Sequence, residues 1–452
     1  MIHQFKVKDM LFALDVYSGA VHVVDQLMYD ILERINNGEA IETMVLALQS
    51  TYSMNDINQA VEELNTLKDK GQLFAEDTYQ PIVDSFADRE TVVKAMCLHI
   101  AHDCNLACKY CFASEGEYHG DRSMMSLEVG KKSIDYLVTH SGNRTNLEID
   151  FFGGEPLMNF EVVKGIVTYA KSIEESYGKH FRFTLTTNGV LLTDDIIAYL
   201  NEHMYNVVLS IDGRKEVHDK MRPTPNGKGS YDLILPKLKQ VASSRNQKNY
   251  YVRGTFTHFN TDFAEDVMHL ADQGFKQISV EPVVAEKRMS YALTDDDVEV
   301  LKKQYDILAE KMLEYKEAGK PFNFFHFMID LGQGPCVIKR LTGCGAGTEY
   351  MAITPWGDFY PCHQFVGDEN FLLGNVDEGV TNLELQRDFK NCHVYNKEDC
   401  TDCWAKFYCS GGCAANAQHF HGNIHKTYEC ACELEKKRVE MAIYLKATEI
   451  IE

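Results

Sequence analysis

The chain has 452 residues, 45% of them hydrophobic, and a formal net charge of -22 at pH 7; this length predicts two to four domains of roughly 100 to 200 residues each. The negative charge argues against nucleic acid and anionic lipid as partners, because both are bound through clustered lysine and arginine. No run approaches the roughly 18 apolar residues that cross a membrane, and the start lacks the apolar core of a signal peptide. We therefore expect a cytoplasmic protein.

Residues 1–90 contain no cysteine and are predicted to form a separate module that ends in a linker with Pro81. Alternating apolar residues around the turn signal Ser18-Gly19 predict a β-hairpin. Helical apolar spacing then predicts three short helices, at Gln26–Ile35, Ala40–Tyr52 and Asn55–Lys68. A hairpin with three short helices is similar to a winged-helix unit.

Residues 91–320 alternate between apolar strand-like runs and amphipathic helical stretches. The predicted strands are Ala95–Ile100, Leu147–Phe152, Phe183–Thr187, Val207–Ile211, Tyr251–Phe256 and Ile278–Val283. Six such units predict an α/β fold with a parallel sheet. In folds of this kind, function lies at the carboxyl ends of the strands.

The first strand is followed by three cysteines at the spacing CxxxCxxC, namely Cys104, Cys108 and Cys111. Three thiolates can hold three irons of a cubane cluster, whereas an electron-transfer cluster normally takes four cysteines. This spacing therefore leaves one iron open for chemistry. The alternatives are a zinc site or buried free thiols.

Polar or glycine-rich motifs follow the other strands, so we expect them on the same edge of the sheet. They are Gly153-Gly154-Glu155-Pro156, Thr187-Asn188, Ser210, Asp212, Arg253 within the fifth strand, and Glu281-Pro282. Glycines allow unusual backbone angles and close backbone approach. Each motif has an alternative interpretation as a turn or a structural ion pair, and Glu155 as a carboxylate that complements a helix dipole.

Residues 321–452 contain ten of the fourteen cysteines. A cytoplasmic compartment keeps thiols reduced, so these cysteines are predicted to bind metal rather than to form disulfides. Cys344 and Cys362 form a CX12GX4C pattern, and a CX2CX5CX3C pattern follows, with two cysteines further downstream; these are Cys400, Cys403, Cys409, Cys413, Cys430 and Cys432. Zinc is the natural alternative to iron for CxxC pairs.

Together these motifs resemble the radical S-adenosylmethionine (SAM) family. The resemblance rests on CxxxCxxC with the aromatic Tyr110 before its last cysteine, and on the GGEP motif at Gly153–Pro156. The C-terminal cysteine order resembles the SPASM domain. The resemblance implies a partial (β/α)6 barrel at 91–320 and a SPASM domain at 321–452 with two auxiliary clusters, so three 4Fe-4S clusters in all. In that family the open iron chelates SAM, which is split to a 5'-deoxyadenosyl radical and methionine.

The resemblance also implies which residues contact SAM. The GGEP turn accepts its ammonium group, and Arg253 is a candidate partner for its carboxylate, because a guanidinium can bind bidentately. Four further residues resemble family positions near the ribose and the carboxylate; they are Thr187, Asn188, Ser210 and Asp212.

By the same resemblance, the first auxiliary cluster takes Cys344, Cys362 and Cys413. The second takes Cys400, Cys403, Cys409 and a downstream cysteine, for which Cys432 is preferred over Cys430 because it opens the last helix. Cys336 is a candidate fourth ligand of the first cluster. If Cys336 does not bind, that cluster has an open iron for a substrate thiolate. Cys97 is expected to be a core thiol.

The stretches Trp404–Cys413 and Cys432–Arg438 resemble one subgroup, the maturases of SCIFF, a small six-cysteine ribosomal peptide. This resemblance implies that the protein joins a cysteine sulfur to the α-carbon of an acceptor residue, a sactionine thioether, with a low-potential electron donor as a second partner. Residues 1–90 would bind the leader of the precursor peptide by adding it as a strand, or else serve as a packing cap. The alternatives are an anaerobic sulfatase-maturing enzyme that makes formylglycine, and a non-enzymatic iron–sulfur carrier or zinc-dependent interaction protein.

Overall fold

The computed structural model describes residues 1–111, 113, 116, 118, 120–332 and 336–451. Its N-terminal part is a small antiparallel sheet in the order β1-β2-β3, followed by three helices. These elements are β1 (Ile2–Val7), β2 (Met10–Asp15), β3 (Val21–Val24), α1 (Gln26–Asn36), α2 (Ile41–Leu48) and α3 (Met54–Asp69). The helices pack on the sheet through a separate hydrophobic core, which includes Ile31, Met44 and Ile57.

The predicted hairpin is thus a three-stranded sheet. Ser18-Gly19 joins β2 to β3 as predicted, but the first apolar stretch is itself a hairpin, with a turn at Lys8-Asp9. Lys8 adopts a φ of 53°, a left-handed conformation in which glycine or asparagine is more usual. The sequence therefore carries no clear signal for this turn. The helix starts are set by caps, because Asp25 and Ser53 accept hydrogen bonds from the first turns of α1 and α3.

The central part of the chain forms the predicted parallel sheet. Its strands are β4 (Ala95–His102), β6 (Asn146–Gly153), β7 (His180–Thr187), β8 (Asn206–Ser210), β9 (Tyr250–Phe256), β10 (Gln277–Pro282) and β11 (Asn323–Phe324), with the short β5 (Ser123–Met124) antiparallel to β4. The connecting helices are α4 (Leu127–His140), α5 (Phe160–Tyr177), α6 (Asp194–His203), α7 (Lys215–Met221), α8 (Tyr231–Ser244), α9 (Phe263–Asp272) and α10 (Asp297–Glu317). All six predicted parallel strands are confirmed.

The C-terminal part extends this sheet rather than standing apart from it. Its elements are α11 (Val337–Thr342), β12 (Tyr350–Ile353), β13 (Asp358–Tyr360), β14 (Gly374–Asn375), β15 (Gly379–Val380), α12 (Leu383–Asn391), α13 (Lys406–Cys409), α14 (Ala414–His421) and α15 (Glu429–Ile451). Strand β12 pairs in parallel with β4, and β13, β14 and β15 continue the sheet in antiparallel order. Strand β12 therefore lies between β13 and β4, the strand that leads to the CxxxCxxC motif.

The last helix joins the parts of the chain. Helix α15 packs along α10 and contacts β1. Phe5 and Phe12 of the N-terminal sheet pack with Ile443 of α15, and the His3 ring stacks on Trp404 with 3.7 Å between centroids. One face of the N-terminal sheet is therefore buried against the C-terminal part. No helix in the described ranges is long and apolar enough to cross a membrane.

Candidate active site

The GGEP turn and the cysteine loop are fastened to each other by their backbones. The amide of Gly154 donates to the carbonyl of Ala101 at 2.7 Å, and the amide of Glu155 donates to the carbonyl of Asp103 at 2.9 Å. A Cβ on Gly154 would lie 2.0 Å from the Asp103 oxygen, and one on Gly153, whose φ is +117°, would lie 2.4 Å from the Ala101 oxygen. Glycine is therefore required at both positions for the approach of the two chain segments.

A cavity of about 230 Å³ lies at the carboxyl ends of the parallel strands. It is lined by the three cysteines of the motif and by every predicted SAM contact except Asp212, that is, Tyr110, Gly153, Gly154, Glu155, Pro156, Thr187, Asn188, Ser210 and Arg253. Other lining residues that the sequence did not assign to SAM include Arg222, Thr255, Glu281, His363 and Gln364. The parallel sheet thus brings motifs from six strand ends to one cavity. The cavity is large enough for part of a small cofactor.

Glu155 joins two strand ends at this cavity. Its carboxylate accepts hydrogen bonds from the hydroxyl of Thr187 at 2.8 Å, the amide of Asn188 at 2.8 Å and the amide of Leu157 at 3.1 Å. Burial raises the pKa of Glu155 to about 7 against the lowering effect of these bonds. Since Leu157 lies in the short 3-10 turn that follows, Glu155 acts both as a cap for that turn and as part of the cavity wall.

Asp212 lies behind the cavity wall and not in it. Its carboxylate accepts hydrogen bonds from the hydroxyl of Tyr110 at 2.7 Å, from Nε of Arg222 at 3.0 Å and from the amide of Thr255 at 3.1 Å. It is fully buried. In the structure Asp212 forms a buried ion pair with Arg222. It also fixes the side chain of Tyr110 within the cysteine motif.

Arg222 is a cavity residue that sequence reasoning missed. It follows helix α7 rather than a strand, so no strand-end pattern marks it. Burial raises the pKa of the Cys108 thiol to about 11, and the charge of Arg222 opposes this shift. Burial likewise raises the pKa of the Cys104 thiol to about 12. Burial therefore disfavours a free thiolate at these two positions. Coordination to a cationic cluster removes the thiol proton, so these cysteines are suited to binding a cluster.

Cys362, predicted for the first auxiliary cluster with Cys344 and Cys413, directly precedes two residues of the cavity. Burial raises the pKa of Cys362 well above its usual value, and the charges of Cys413 and Cys344 raise it further. His363 and Gln364, the next two residues, line the cavity itself. Cys336 is exposed at the start of α11, directly after the residues 333–335 that lie outside the described ranges.

The four cysteines predicted for the second auxiliary cluster line one further cavity of about 210 Å³; they are Cys400, Cys403, Cys409 and Cys432. Cys430 is instead 3% exposed and belongs to the hydrophobic core of the main sheet. Cys97 is buried in β4, as predicted, and Cys392 donates to the carbonyl of Ile424 at 3.2 Å.

The donor sets fit iron–sulfur clusters. Each of the three groups consists of cysteines, which are the ligands of cubane clusters. No three His, Cys, Asp or Glu side chains of the described residues are arranged to hold a single metal ion. A parallel α/β sheet with three cysteines at a cavity on its carboxyl edge is the arrangement expected of an iron–sulfur enzyme.

Comparison with known families agrees with this class. A model described as a 4Fe-4S single cluster domain matches residues 93–235, and the SPASM iron–sulfur cluster-binding domain matches residues 344–404. Among curated relatives, the radical SAM cyclopropyl synthase TigE of Paramaledivibacter caminithermalis is 22% identical over 94% of this chain and 90% of its own. The cysteine-type anaerobic sulfatase-maturating enzyme of Clostridium novyi is 26% identical over 70% of this chain and 86% of its own. The uncharacterized protein MJ0907 of Methanocaldococcus jannaschii is 30% identical over 63% of this chain and 90% of its own.

Solved structures show the same fold. The enzyme anSMEcpe with bound AdoMet and a peptide has a TM-score of 0.65 at 19% identity and covers 78% of this chain and 98% of its own. Streptococcus suis SuiB bound to the precursor peptide SuiA has a TM-score of 0.55 at 15% identity, over 95% of this chain and all of its own. The chain belongs to the radical SAM enzymes that carry a SPASM domain, and its cofactors are SAM and 4Fe-4S clusters.

Proposed function

We propose that this enzyme forms a thioether between a cysteine sulfur and the α-carbon of an acceptor residue in a cysteine-rich ribosomal peptide of the SCIFF type. The observation that carries the proposal is the position of Cys362. Its thiol is proposed for the first auxiliary cluster, and the two residues that follow it line the cavity of about 230 Å³ at the strand ends, which we call the SAM cavity. A thiol bound at that group would lie next to the reacting carbon.

When bound, SAM and its cluster supply a one-electron oxidant that removes a hydrogen atom, and the first auxiliary cluster supplies a thiolate site and an electron acceptor. Cys104, Cys108 and Cys111 would hold the SAM-binding cluster of a partial (β/α)6 barrel. Arg253 presents a guanidinium to the cavity and is held by Glu281, with 2.5 Å between Nη2 and Oε2. It is suited to a carboxylate of SAM or of the peptide.

Tyr110 and Arg222 keep the cysteine loop in place through their common partner Asp212. Glu155 fixes the GGEP turn against the end of β7, so that its backbone groups face the cavity. Preorganisation of this kind places a bound cofactor before the reaction begins.

In this proposal the enzyme has three 4Fe-4S clusters. The second auxiliary cluster takes Cys400, Cys403, Cys409 and Cys432, which share one cavity. The first takes Cys344, Cys362 and Cys413 as its only resident ligands, and a substrate thiolate completes it. Cys336 then remains free of the cluster.

Residues 1–90 are proposed to bind the leader of the precursor peptide, residues 91–320 to form the radical SAM domain and 321–452 the SPASM domain. Strand β3 pairs with β2 on one side, and among the described strands none pairs with its other edge. Val23 on β3 is 47% exposed. An exposed apolar residue on a free edge is suited to an added peptide strand. Val23 lies opposite Phe12 in the register, and Phe12 packs on α15 from the same face of the sheet. A scaffolding role therefore accompanies recognition.

Formylglycine formation is the second candidate, favoured by the similarity to the Clostridium novyi enzyme. Co-expression with a cysteine-rich peptide distinguishes the two. We expect a loss of two hydrogens for each link, with fragment ions absent between the joined residues. A peptide that instead gains an aldehyde and loses its sulfur would contradict thioether formation. A variant with all three motif cysteines changed to Ala serves as the inactive control.

A further inference from the structure

A series of polar contacts begins in the wall of the SAM cavity and leads away from it. Arg253 and Glu281 line that cavity and form an ion pair. The other oxygen of the Glu281 carboxylate lies 3.5 Å from Nε2 of His326. His326 is also 3.1 Å from the hydroxyl of Ser279, and its side chain is 9% exposed. The cavity wall is thus supported by a buried imidazole.

The series continues to the cavity lined by Cys400, Cys403, Cys409 and Cys432, which we call the second auxiliary cavity. Nη1 of Arg438, in helix α15, donates to Nδ1 of His326 at 3.1 Å. Nη2 of the same guanidinium donates to the carboxylate of Glu435. Glu435 and Cys409 line the second auxiliary cavity together. The two arms of Arg438 therefore face the two cavities. We call the residues Arg253, Glu281, His326, Arg438 and Glu435 the inter-cavity network.

Arg438 fixes the protonation pattern of His326. A guanidinium can only donate hydrogen bonds, so Nδ1 must accept and be unprotonated. The proton of a neutral imidazole is then on Nε2, which faces Ser279 and the Glu281 carboxylate. Burial lowers the pKa of His326 to about 3, in keeping with a neutral ring. The orientation of Glu281, and with it that of Arg253, thus depends on Arg438.

We propose that Arg438 is a positioning residue that couples the second auxiliary cluster to the SAM cavity, because one arm of its guanidinium holds His326 and the other is held by Glu435. The inference rests on the proposed assignment of SAM and of the second auxiliary cluster to these two cavities. It gives the second cluster, which lies away from the reacting atoms, an effect on cofactor binding.

The coupling follows from charge. With a cluster held by Cys400, Cys403, Cys409 and Cys432, one electron from a low-potential donor would add a negative charge beside Glu435. That charge would attract Arg438 and weaken its bond to His326, so Glu281 and Arg253 would lose a fixed support. Coupling between two binding events is reciprocal. SAM in the cavity must therefore change the affinity of the second cluster for its electron by the same factor.

The test is a potentiometric EPR titration of the anaerobically reconstituted full chain, with and without SAM. The second cluster's signal is the one that is lost in a Cys403→Ala variant. We expect SAM to shift its midpoint potential in the unchanged protein; a tenfold coupling corresponds to ~59 mV for a one-electron couple. In Arg438→Met we expect this shift to disappear and SAM to bind about tenfold more weakly, and Arg438→Lys should keep part of the shift.

Lys437→Met is the matched control. Lys437 directly precedes Arg438 in α15 and pairs with Asp306 of α10 at 2.5 Å, outside the inter-cavity network. Its loss should leave the SAM-dependent shift unchanged, whereas a general loosening of α15 would reduce the shift in both variants. His326→Leu removes the link between Arg438 and Glu281 by a different substitution, because it leaves the Arg438–Glu435 pair and the cluster cavity intact. This variant should also lose the SAM-dependent shift.

A SAM-dependent shift that persists in Arg438→Met or in His326→Leu would overturn the inference, as would the absence of any shift in the unchanged protein. Failure of the cluster assignment looks different. In that case Cys403→Ala would remove no EPR signal and no iron, and the proposed ligands themselves would be wrong.

Discussion

Gly154 and Asp103 approach so closely that no side chain fits between them: a Cβ on Gly154 would lie 2.0 Å from the carbonyl oxygen of Asp103. This contact fastens the GGEP turn to the residue before Cys104. Both segments line the SAM cavity. A side chain larger than the hydrogen of glycine at position 154 would therefore push the two segments apart and change the shape of the cavity.

Gly154→Ala should therefore destabilise the protein and disturb the cysteine loop. An overpacked backbone contact of this kind costs about 3 kcal/mol, and we expect weaker SAM binding as well. Gly178→Ala is the control, because Gly178 has a φ of +62° but open space around it. It should cost about 1 kcal/mol and leave SAM affinity unchanged. Thermal unfolding and SAM titration measure the two effects; equal SAM affinity in both variants would contradict this role of Gly154.

Cys432 and Cys430 should respond differently to replacement by Ala. Cys432 lines the second auxiliary cavity, whereas Cys430 is buried in the main core. Three clusters of four irons predict about 12 iron atoms per chain after reconstitution. We expect Cys432→Ala to lose or alter one cluster in iron analysis and EPR. Cys430→Ala should keep all the iron; the reverse pattern would exchange the two assignments.

Cys336 tests how the first auxiliary cluster is completed. If the cluster has only Cys344, Cys362 and Cys413 as resident ligands, Cys336→Ala should leave its EPR signal unchanged. Addition of native peptide should then alter the signal, and a peptide with its donor cysteines changed to Ser should not. A signal altered by Cys336→Ala and unaffected by peptide would instead make Cys336 the fourth ligand.

The proposed binding of the peptide leader by strand β3 can be tested by replacing Val23. Val23→Asp places a charge on the exposed side of the edge strand, and we expect it to weaken binding of a leader-bearing peptide about tenfold. Val300→Asp is a matched control, since Val300 on α10 is 45% exposed against 47% for Val23. Both variants should cleave SAM alike without peptide. Equal peptide affinity would leave residues 1–90 with a packing role only.

The long buried strands could be predicted closely from the sequence. Strand β4 was expected at Ala95–Ile100 and extends to His102. A short, mostly apolar run followed by a loop motif is typical of a buried strand. Cys400, Cys403 and Cys409 are close in the sequence and do line one cavity with Cys432, and their role as cluster ligands stays a prediction. Contacts that arise only from folding could not. Arg222 carries no strand-end signal, and Asp212 has the residue type of a ligand contact but is held by Tyr110 and Arg222.

The C-terminal extension of the sheet illustrates the same limit. Strands β13, β14 and β15 have two or three residues each and give no periodicity to detect. The two residues after Cys362, which follow β13, nevertheless line the cavity. The relation between the first auxiliary group and the SAM site is therefore a tertiary property, visible only in the folded chain.

Isotope transfer tests the proposed reaction most directly. A precursor peptide would be prepared with deuterium at the α-carbon of the acceptor residue, and a second peptide with deuterium at the β-carbon of the donor cysteine. Thioether formation at the α-carbon predicts deuterium in 5'-deoxyadenosine from the first peptide and none from the second. Deuterium transferred only from the cysteine β-carbon, the position oxidised in formylglycine, would contradict the proposed function.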